Sequence, residues 1–518
     1  MGNYIRENSR QQGYLLPPRM EDWVPKDHPA RVIDGFVESL DIESLEVEEN
    51  NDDVGRKSYS PRTMIKIILY CYSIGDRSSR RIERLTYENI AVRWLSGDLH
   101  PDYRTIARFR QMNIGILTRL LAATVSLYRE AYLSFKEFEG VVFIDGTKIY
   151  ADANADRPVD IKRLEKMAER ILREAEEVDK EEDKQYGEDR SGDKISPDVL
   201  SGLREKITEQ KERLEEKIKR GPKADRVLKK IERLERGIEL FEKESEDNSD
   251  KKGRVNVTDP DCRFMKHRSH GKHPSYNGQI AVDSNGVIMA SDVVQEAGDN
   301  HQLSRMVKES KKILGETVEI KKVPADKGYY EVNELRDTME MGVIPIVKKQ
   351  SPVKKGKDGF SREDFKYNKE KDVWLCPAGK ELRYREIRHD KGKEYRVYQC
   401  SVKACRECKF KDKCLSKRGS EIKRGRVYRV LNDMEFLEKY AAIMKDEINL
   451  ELYKGRKQTV EPAIGVIKRC LGFRRFSLRG LKKVRGEFSL IATVYNLKKI
   501  TNLCKANGIM TRLEYNIA

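Results

Sequence analysis

The chain has 518 residues, with 104 Lys and Arg against 87 Asp and Glu, a formal charge of +17 and a pI near 9.2. That length supplies about three domains with ample core, and the basic balance points to a polyanionic partner, nucleic acid ahead of an anionic membrane. The composition excludes a membrane-spanning chain, since no apolar run reaches the roughly 18 residues a span needs and the best stretch, Met64 to Ile74, contains Lys66.

The first residues, MGNYIRENSRQQGY, have no apolar signal core, and Arg6 breaks the myristoylation pattern begun by Met1-Gly2. A soluble, intracellular location is expected, in a compartment where thiols stay reduced. From Pro29 to about Leu127 the apolar spacing predicts helices. Ile33, Phe36, Val37 and Leu40 recur at helical intervals, and Ser60-Pro61 opens a helix through Met64, Ile67, Ile68 and Cys71. After Gly97, His100-Pro-Asp-Tyr-Arg-Thr-Ile-Ala-Arg-Phe-Arg110 reads as a turn and a helix capped by Asp102 or Thr105. This pattern resembles a helix-turn-helix able to enter a major groove. Arg80, Arg81, Arg104, Arg108 and Arg110 are its candidate DNA contacts.

The run Val141-Val-Phe-Ile144 then reads as a short buried strand, ended by Asp145-Gly146. From Pro158 to Gly253 the chain turns strongly charged. Apolar stripes such as Leu164, Met167, Ile171, Ala175 and Val178, or Val227, Ile231, Leu234 and Ile238, predict an inserted helical hairpin or coiled coil. Strands return at 279–282 and 287–294 across the hairpin signal Asp283-Ser-Asn-Gly286. A helix over 300–314, a strand over 318–323, a helix over 331–341 and a strand over 343–346 follow. The order strand-strand-strand-helix-strand-helix-strand predicts a mixed α/β layer around one sheet. Residues 348–430, rich in Lys, Gly and Cys, form a second interruption, and the closing helix is expected over about 483–503.

Two strands end alike, at Asp145 and at Asp326 in Val323-Pro-Ala-Asp326-Lys-Gly. If they are neighbours, the carboxylates repel, and either one retains a proton or a cation binds between them. A helical Glu facing the strand ends completes a site for two Mg²⁺ ions, which activate a water or hydroxyl and stabilise the leaving oxygen in phosphodiester displacement. Glu461, in the first turn of a basic helix with Lys468 two turns along the same face, is the candidate. Tyr453 and Arg456 precede it, cations there suiting phosphate. Asp152, Asp292 and Asp299 lie nearby and are read as structural or surface residues.

With Ile144-Asp-Gly-Thr147, Ala325-Asp-Lys-Gly-Tyr329 and Tyr453-x2-Arg456-x4-Glu461-x6-Lys468, the chain resembles a bacterial insertion-sequence transposase of the DDE class. Some members carry Tyr-x2-Arg-x3-Glu-x6-Lys; here one extra residue separates Arg456 from Glu461, and Lys457 sits at the usual distance. Gly55-Arg-Lys-Ser-Tyr-Ser-Pro61, Arg77-Ser-Ser-Arg80, Arg104 to Arg110, Tyr276-Asn-Gly-Gln-Ile-Ala-Val-Asp283 and Tyr495-Asn-Leu497 extend the likeness through most of the chain. The resemblance implies a ribonuclease-H-like core and cleavage at the ends of a mobile element, freeing 3′-hydroxyls that attack target DNA. It implies Asp145, Asp326 and Glu461 as ligands of the catalytic Mg²⁺, with Arg456 and Lys468 near phosphates. The partners it implies are double-stranded DNA, as element ends and target, and a second copy of the chain in a homodimer or larger synaptic complex.

Cys400-x4-Cys405-x2-Cys408-x5-Cys414, with Cys376 upstream, predicts a structural Zn²⁺ site, four thiolates giving closed tetrahedral coordination. Five cysteines for four places leave one spare. His267, His270 and His273 are read as a basic loop facing phosphate. The domains expected are a helical DNA-binding region (1–135), an α/β ribonuclease-H-like core (136–157 and 254–347), a charged helical insertion (158–253), a Cys-rich zinc-binding insertion (348–430), and C-terminal core helices carrying Glu461 (431–518).

Overall fold

The structure is a computed structural model that describes residues 19–41, 58–133, 138–153, 158–159, 170, 230–232, 235–236, 255–256, 258–267, 271–315, 318–349, 360, 364–390, 393–414, 424–431 and 434–508. The inserted helices expected over 158–253 lie almost wholly outside the described residues.

The N-terminal helices form where the apolar spacing and the caps agree. Pro29 occupies the first turn of α1 (Pro29–Glu38) and Pro61 that of α2 (Pro61–Ser73), positions where the missing N–H is harmless. Helices α3 (Ser79–Glu88) and α4 (Ile90–Ser96) follow, α4 ending at Gly97 with a left-handed φ of 62°. Asp102 is the cap of α5 (Tyr103–Met112), its Oδ1 accepting the N–H groups of Arg104 (2.7 Å) and Thr105 (3.0 Å). The apolar α6 (Ile114–Tyr128) ends the bundle.

The main sheet comprises β1 (Val142–Tyr150), β2 (Arg263–His267), β3 (Gly271–Asp283), β4 (Ile288–Val294), β5 (Lys322–Ala325) and β6 (Ile344–Val347), with α7 (Leu303–Leu314) and α8 (Val332–Glu340) between the later strands. Its order is β2-β3-β1-β5-β6, with β4 also on β3; β1 pairs antiparallel with β3 and parallel with β5. The fold is mixed α/β and the expected elements are present, with one strand added: β2 precedes β3, so His267 and His273, read as loop residues, lie on strands. A second expectation is also corrected: β1 does not stop at Asp145. Pairing with β3 carries it on, Gly146 opposite Gln279 and Tyr150 opposite Ser275. Long-range ladder hydrogen bonds override the local Asp-Gly turn preference.

The segment after β6 builds a separate sheet: β7 (Lys366–Asn368), β8 (Val373–Leu375), β9 (Glu381–Asp390), β10 (Lys393–Cys400) and β11 (Val427–Leu431), paired β11-β10-β9-β8-β7. The short helices α9 (Val402–Arg406) and α10 (Lys411–Cys414) lie between β10 and β11. The chain then returns through α11 (Met434–Ile443), α12 (Glu447–Gly455) and α13 (Val460–Gly465), which runs into a π turn, Val466–Cys470. The last helix, α14 (Leu481–Ala506), packs on α6, β4 and α2, so buried residues of the N-terminal helices and the main sheet form one continuous core.

Candidate active site

The last parallel pair between β1 and β5 is Ile144 with Ala325, so the next residues, Asp145 and Asp326, leave the ladder side by side. Asp145 is mid-strand on its β3 side and at the end of pairing on its β5 side. Burial is the main reason its carboxyl is pushed up to about 7. The carboxylates of Asp326 and Asp299 push the same way, against the Gly146 N–H (2.9 Å) and the charge of Arg456. Arg456 is only 6% exposed. Its Nη2 lies 3.2 Å from Asp326 Oδ1, and its guanidinium lies 4.7 Å from the centre of the Tyr453 ring.

Asp299, read from sequence as structural, belongs to this constellation, and that reading is corrected. Its Oδ1 accepts hydrogen bonds from Asn277 Nδ2 (2.7 Å) and Gln279 Nε2 (2.8 Å), both on β3. Gln279 Oε1 in turn accepts the hydroxyl of the buried Tyr329, three residues past Asp326. The backbone at Gly146 makes room: a Cβ there would fall 2.4 Å from Asp299 Oδ1 and 2.5 Å from Gln279 Nε2. The available signal was Asn277 and Gln279, two polar residues in an otherwise apolar strand that must have partners when buried. Asp152 and Asp292 are structural as expected. Asp152 pairs with Arg479 (2.8 Å), and Asp292 with Arg485 (2.8 Å) and Arg305.

Glu461 lies in the first turn of α13, on an exposed position of a helix that packs against β1. Among the described residues no three of His, Cys, Asp or Glu converge at metal-holding distances, so Glu461 does not close a trio with Asp145 and Asp326. Lys468 Nζ donates to the Lys148 carbonyl (2.8 Å) at the far end of β1, and Tyr453 also receives Lys348 Nζ at 4.7 Å from its ring centre.

On the N-terminal helices, Arg80, Arg81, Arg104 and Arg108 are exposed. Arg80 and Arg104 lie 5.2 and 5.7 Å from the Tyr103 ring centre, and Arg81 pairs with Asp76 at 2.8 Å. Arg110 is corrected as a DNA contact. It is 5% exposed and donates to Tyr72 Oη (2.8 Å), the Arg77 carbonyl (2.9 Å) and Ser79 Oγ (2.6 Å). Two residues beyond Arg108, it has rotated to the opposite face of the helix, where it ties α5 to α2 and to the start of α3.

All five clustered cysteines line one cavity of about 20 Å³. The Lys380 N–H donates to Cys376 Sγ and the Arg426 N–H to Cys405 Sγ, each at 3.3 Å. Burial and the Cys405 thiol push Cys400 up to about 12. Among the described residues the sulfurs are not at metal-holding distances. His267 stacks on Tyr150 at 4.3 Å, with His273 edge-on at 5.5 Å; His270 lies outside the described residues.

Among the described residues no helix is long and apolar enough to cross a membrane. Two family models match the chain. One, described as a transposase DDE domain, covers residues 375–501, from the Cys-bearing sheet through Glu461 into α14. The other, described as a transposase domain (DUF772), covers residues 18–112, the helices α1 to α5. No curated protein and no solved structure matches. The two transposase models fall on one chain, the helical one ahead of the DDE one, and together they support an insertion-sequence DDE transposase; Glu461 lies inside the DDE match, Asp145 and Asp326 ahead of it.

Proposed function

We propose that this transposase cleaves the ends of its element by metal-assisted phosphodiester hydrolysis and joins the freed 3′-hydroxyls to target DNA by transesterification. The observation that carries the reading is the placement of Asp145 beside Asp326 on parallel strands, with a surplus of negative charge that Arg456 alone does not balance. Hard carboxylate oxygens fit Mg²⁺. Asp145 and Asp326 would hold such ions, whose chemistry is to activate an oxygen nucleophile and stabilise a leaving oxygen, and Glu461, which does not close a trio with them in this structure, is the proposed third ligand. The chain itself does the positioning. Asn277 and Gln279 hold Asp299 beside Asp145, Arg456 holds Asp326, and Lys468 presents a cation toward the scissile strand. Arg80, Arg81, Arg104 and Arg108 form the duplex contact on the helical domain, and two copies would bring the element ends together.

We further propose that the Cys-rich sheet draws its sulfurs together on a structural Zn²⁺ when the metal binds. Five sulfurs surround a void with room for about one small occupant, and two of them already accept backbone N–H groups. Elemental analysis should find one zinc per chain, and cobalt substitution should give thiolate-to-metal absorption; metal-free protein purified without chelator rules the site out.

The test of the main reading incubates the purified chain with pre-cut element ends, plasmid and Mg²⁺. Joined product is expected, lost in Asp326→Ala while DNA binding persists. Cut ends that never join would identify a nuclease, and binding without either reaction a regulator.

A further inference from the structure

The inserted sheet has two unlike faces. Leu382, Tyr398, Cys400 and Tyr428 pack on one side into a small core of their own. The register sets Glu386 opposite Val397 and Val397 opposite Arg429. Alternation therefore puts Glu386, Arg388, Val397 and Arg429 together on the other side. That face opens into a depression of about 510 Å³, around which stand Arg385, Arg388, Arg424, Arg426 and Arg429, with Glu386 the one acidic residue among the described ones. Glu386 is bound to Arg388 at 2.6 Å, and Arg385 donates to Gln399. Arg385, Arg388, Arg424 and Arg429 are exposed. Arg426 anchors the base, donating to the Cys414 carbonyl at 2.8 Å, while its Nε is buried without a hydrogen-bond partner.

Crowding like charges around one depression costs Coulomb energy unless a polyanion offsets it. Guanidinium forks match phosphate oxygens in pairs, and a row of them tracks a nucleic-acid backbone. The transposase DDE domain match begins at residue 375, so β9 to β11, which carry these arginines, lie in the same matched unit as Glu461. We propose that the arginine face of the inserted sheet is a DNA-backbone site, distinct from the carboxylate centre and from the helical domain. It grips phosphates through Arg385, Arg388, Arg424 and Arg429, and it rests on the transposase reading for the identity of its polyanion.

The test uses the full chain carrying Arg388→Gln with Arg429→Gln, both exposed, so that a matching circular-dichroism spectrum confirms folding. Anisotropy of a labelled duplex is followed across salt concentrations. Two lost phosphate contacts should reduce the slope of log affinity against log salt by about 1.8, equally for any duplex sequence. The Arg→Lys pair keeps the charge and should keep the slope. A slope unchanged in the Gln pair, or polyglutamate competing as well as DNA does, overturns the proposal. Mg²⁺-dependent cleavage by the wild-type chain is measured alongside. A reduced slope without wild-type cleavage keeps the arginine site and removes the catalytic reading; cleavage with an unreduced slope does the reverse.

Discussion

The two sheets solve opposite problems. The main sheet is covered by α6, α7 and α14, shares its core with the whole chain, and buries carboxylates. Among the described residues the inserted sheet has a small hydrophobic cluster of its own on one face and arginines on the other. Burial makes ionisation costly, which suits carboxylates that must bind a cation. Exposure leaves guanidiniums charged and reachable, which suits a contact with phosphate. A small core of this kind stabilises a sheet weakly, and such units are commonly stapled by metal or disulfide, the role proposed for the five cysteines.

Disrupting the carboxylate side should have the largest effect. Asp145→Asn or Asp326→Asn should lower cleavage by about 10³-fold or more, roughly 4 kcal/mol of barrier, with DNA affinity retained; residual cleavage near wild type would separate this pair from the chemistry. Next comes the staple. Cys405→Ser should abolish bound zinc and raise amide exchange across β8 to β11 while β1 and β3 stay protected. Equal exchange in both sheets would mean that they are one stability unit. Gly146→Ala forces a methyl against Asp299 and Gln279, and a displacement of this kind near reacting groups should cost about 10²-fold in rate without unfolding, as read by thermal melts. Asp299→Asn, which weakens a partner of Asp145 rather than removing a ligand, should cost about tenfold in rate or Mg²⁺ affinity.

The smallest effect is one of pH. The folded carboxyl of Asp145 holds its proton up to about 7, well above the unfolded value near 3.9. Its contribution to stability is therefore fully present below the unfolded value and is lost as pH rises through 7. Asp259, pushed up to about 6 mainly by burial, acts with the same sign. Without divalent ions the wild type should melt lower at pH 8 than at pH 5, and Asp145→Asn should flatten the upper part of that decline. Mg²⁺ should protect the wild type more at pH 8 than at pH 5. Equal protection at both would place the cation elsewhere.

Much of this was legible in the residues. A continuous apolar run and turn signals marked the strand at Asp145, the strand before Asp326 was expected over 318–323 and lies at Lys322–Ala325, and short cysteine spacings foretold that the five cysteines line one cavity. Other features were not. Asp145-Gly146 has the local look of a strand end, and only pairing to β3 shows the strand running on. Asp299 carries no local mark, since its partners lie about twenty residues away across a hairpin. Arg110 reads like Arg104 and Arg108 until the packing of α5 on α2 shows which way it faces. The arginine face of the inserted sheet was hidden because a register shift between Tyr384 and Glu386 breaks the alternation that would have revealed it.

Most of the elements, the two aspartates at strand ends, the basic surplus and the crowding of five cysteines follow from the residues alone, because each depends on neighbours close together in the chain. The tertiary structure alone decided which carboxylates share a site, which arginines are buried, and which face of the inserted sheet is basic. Those outcomes depend on register and on contacts across hundreds of residues, as between Arg456 and Asp326 or Lys468 and Lys148, and no local pattern encodes them.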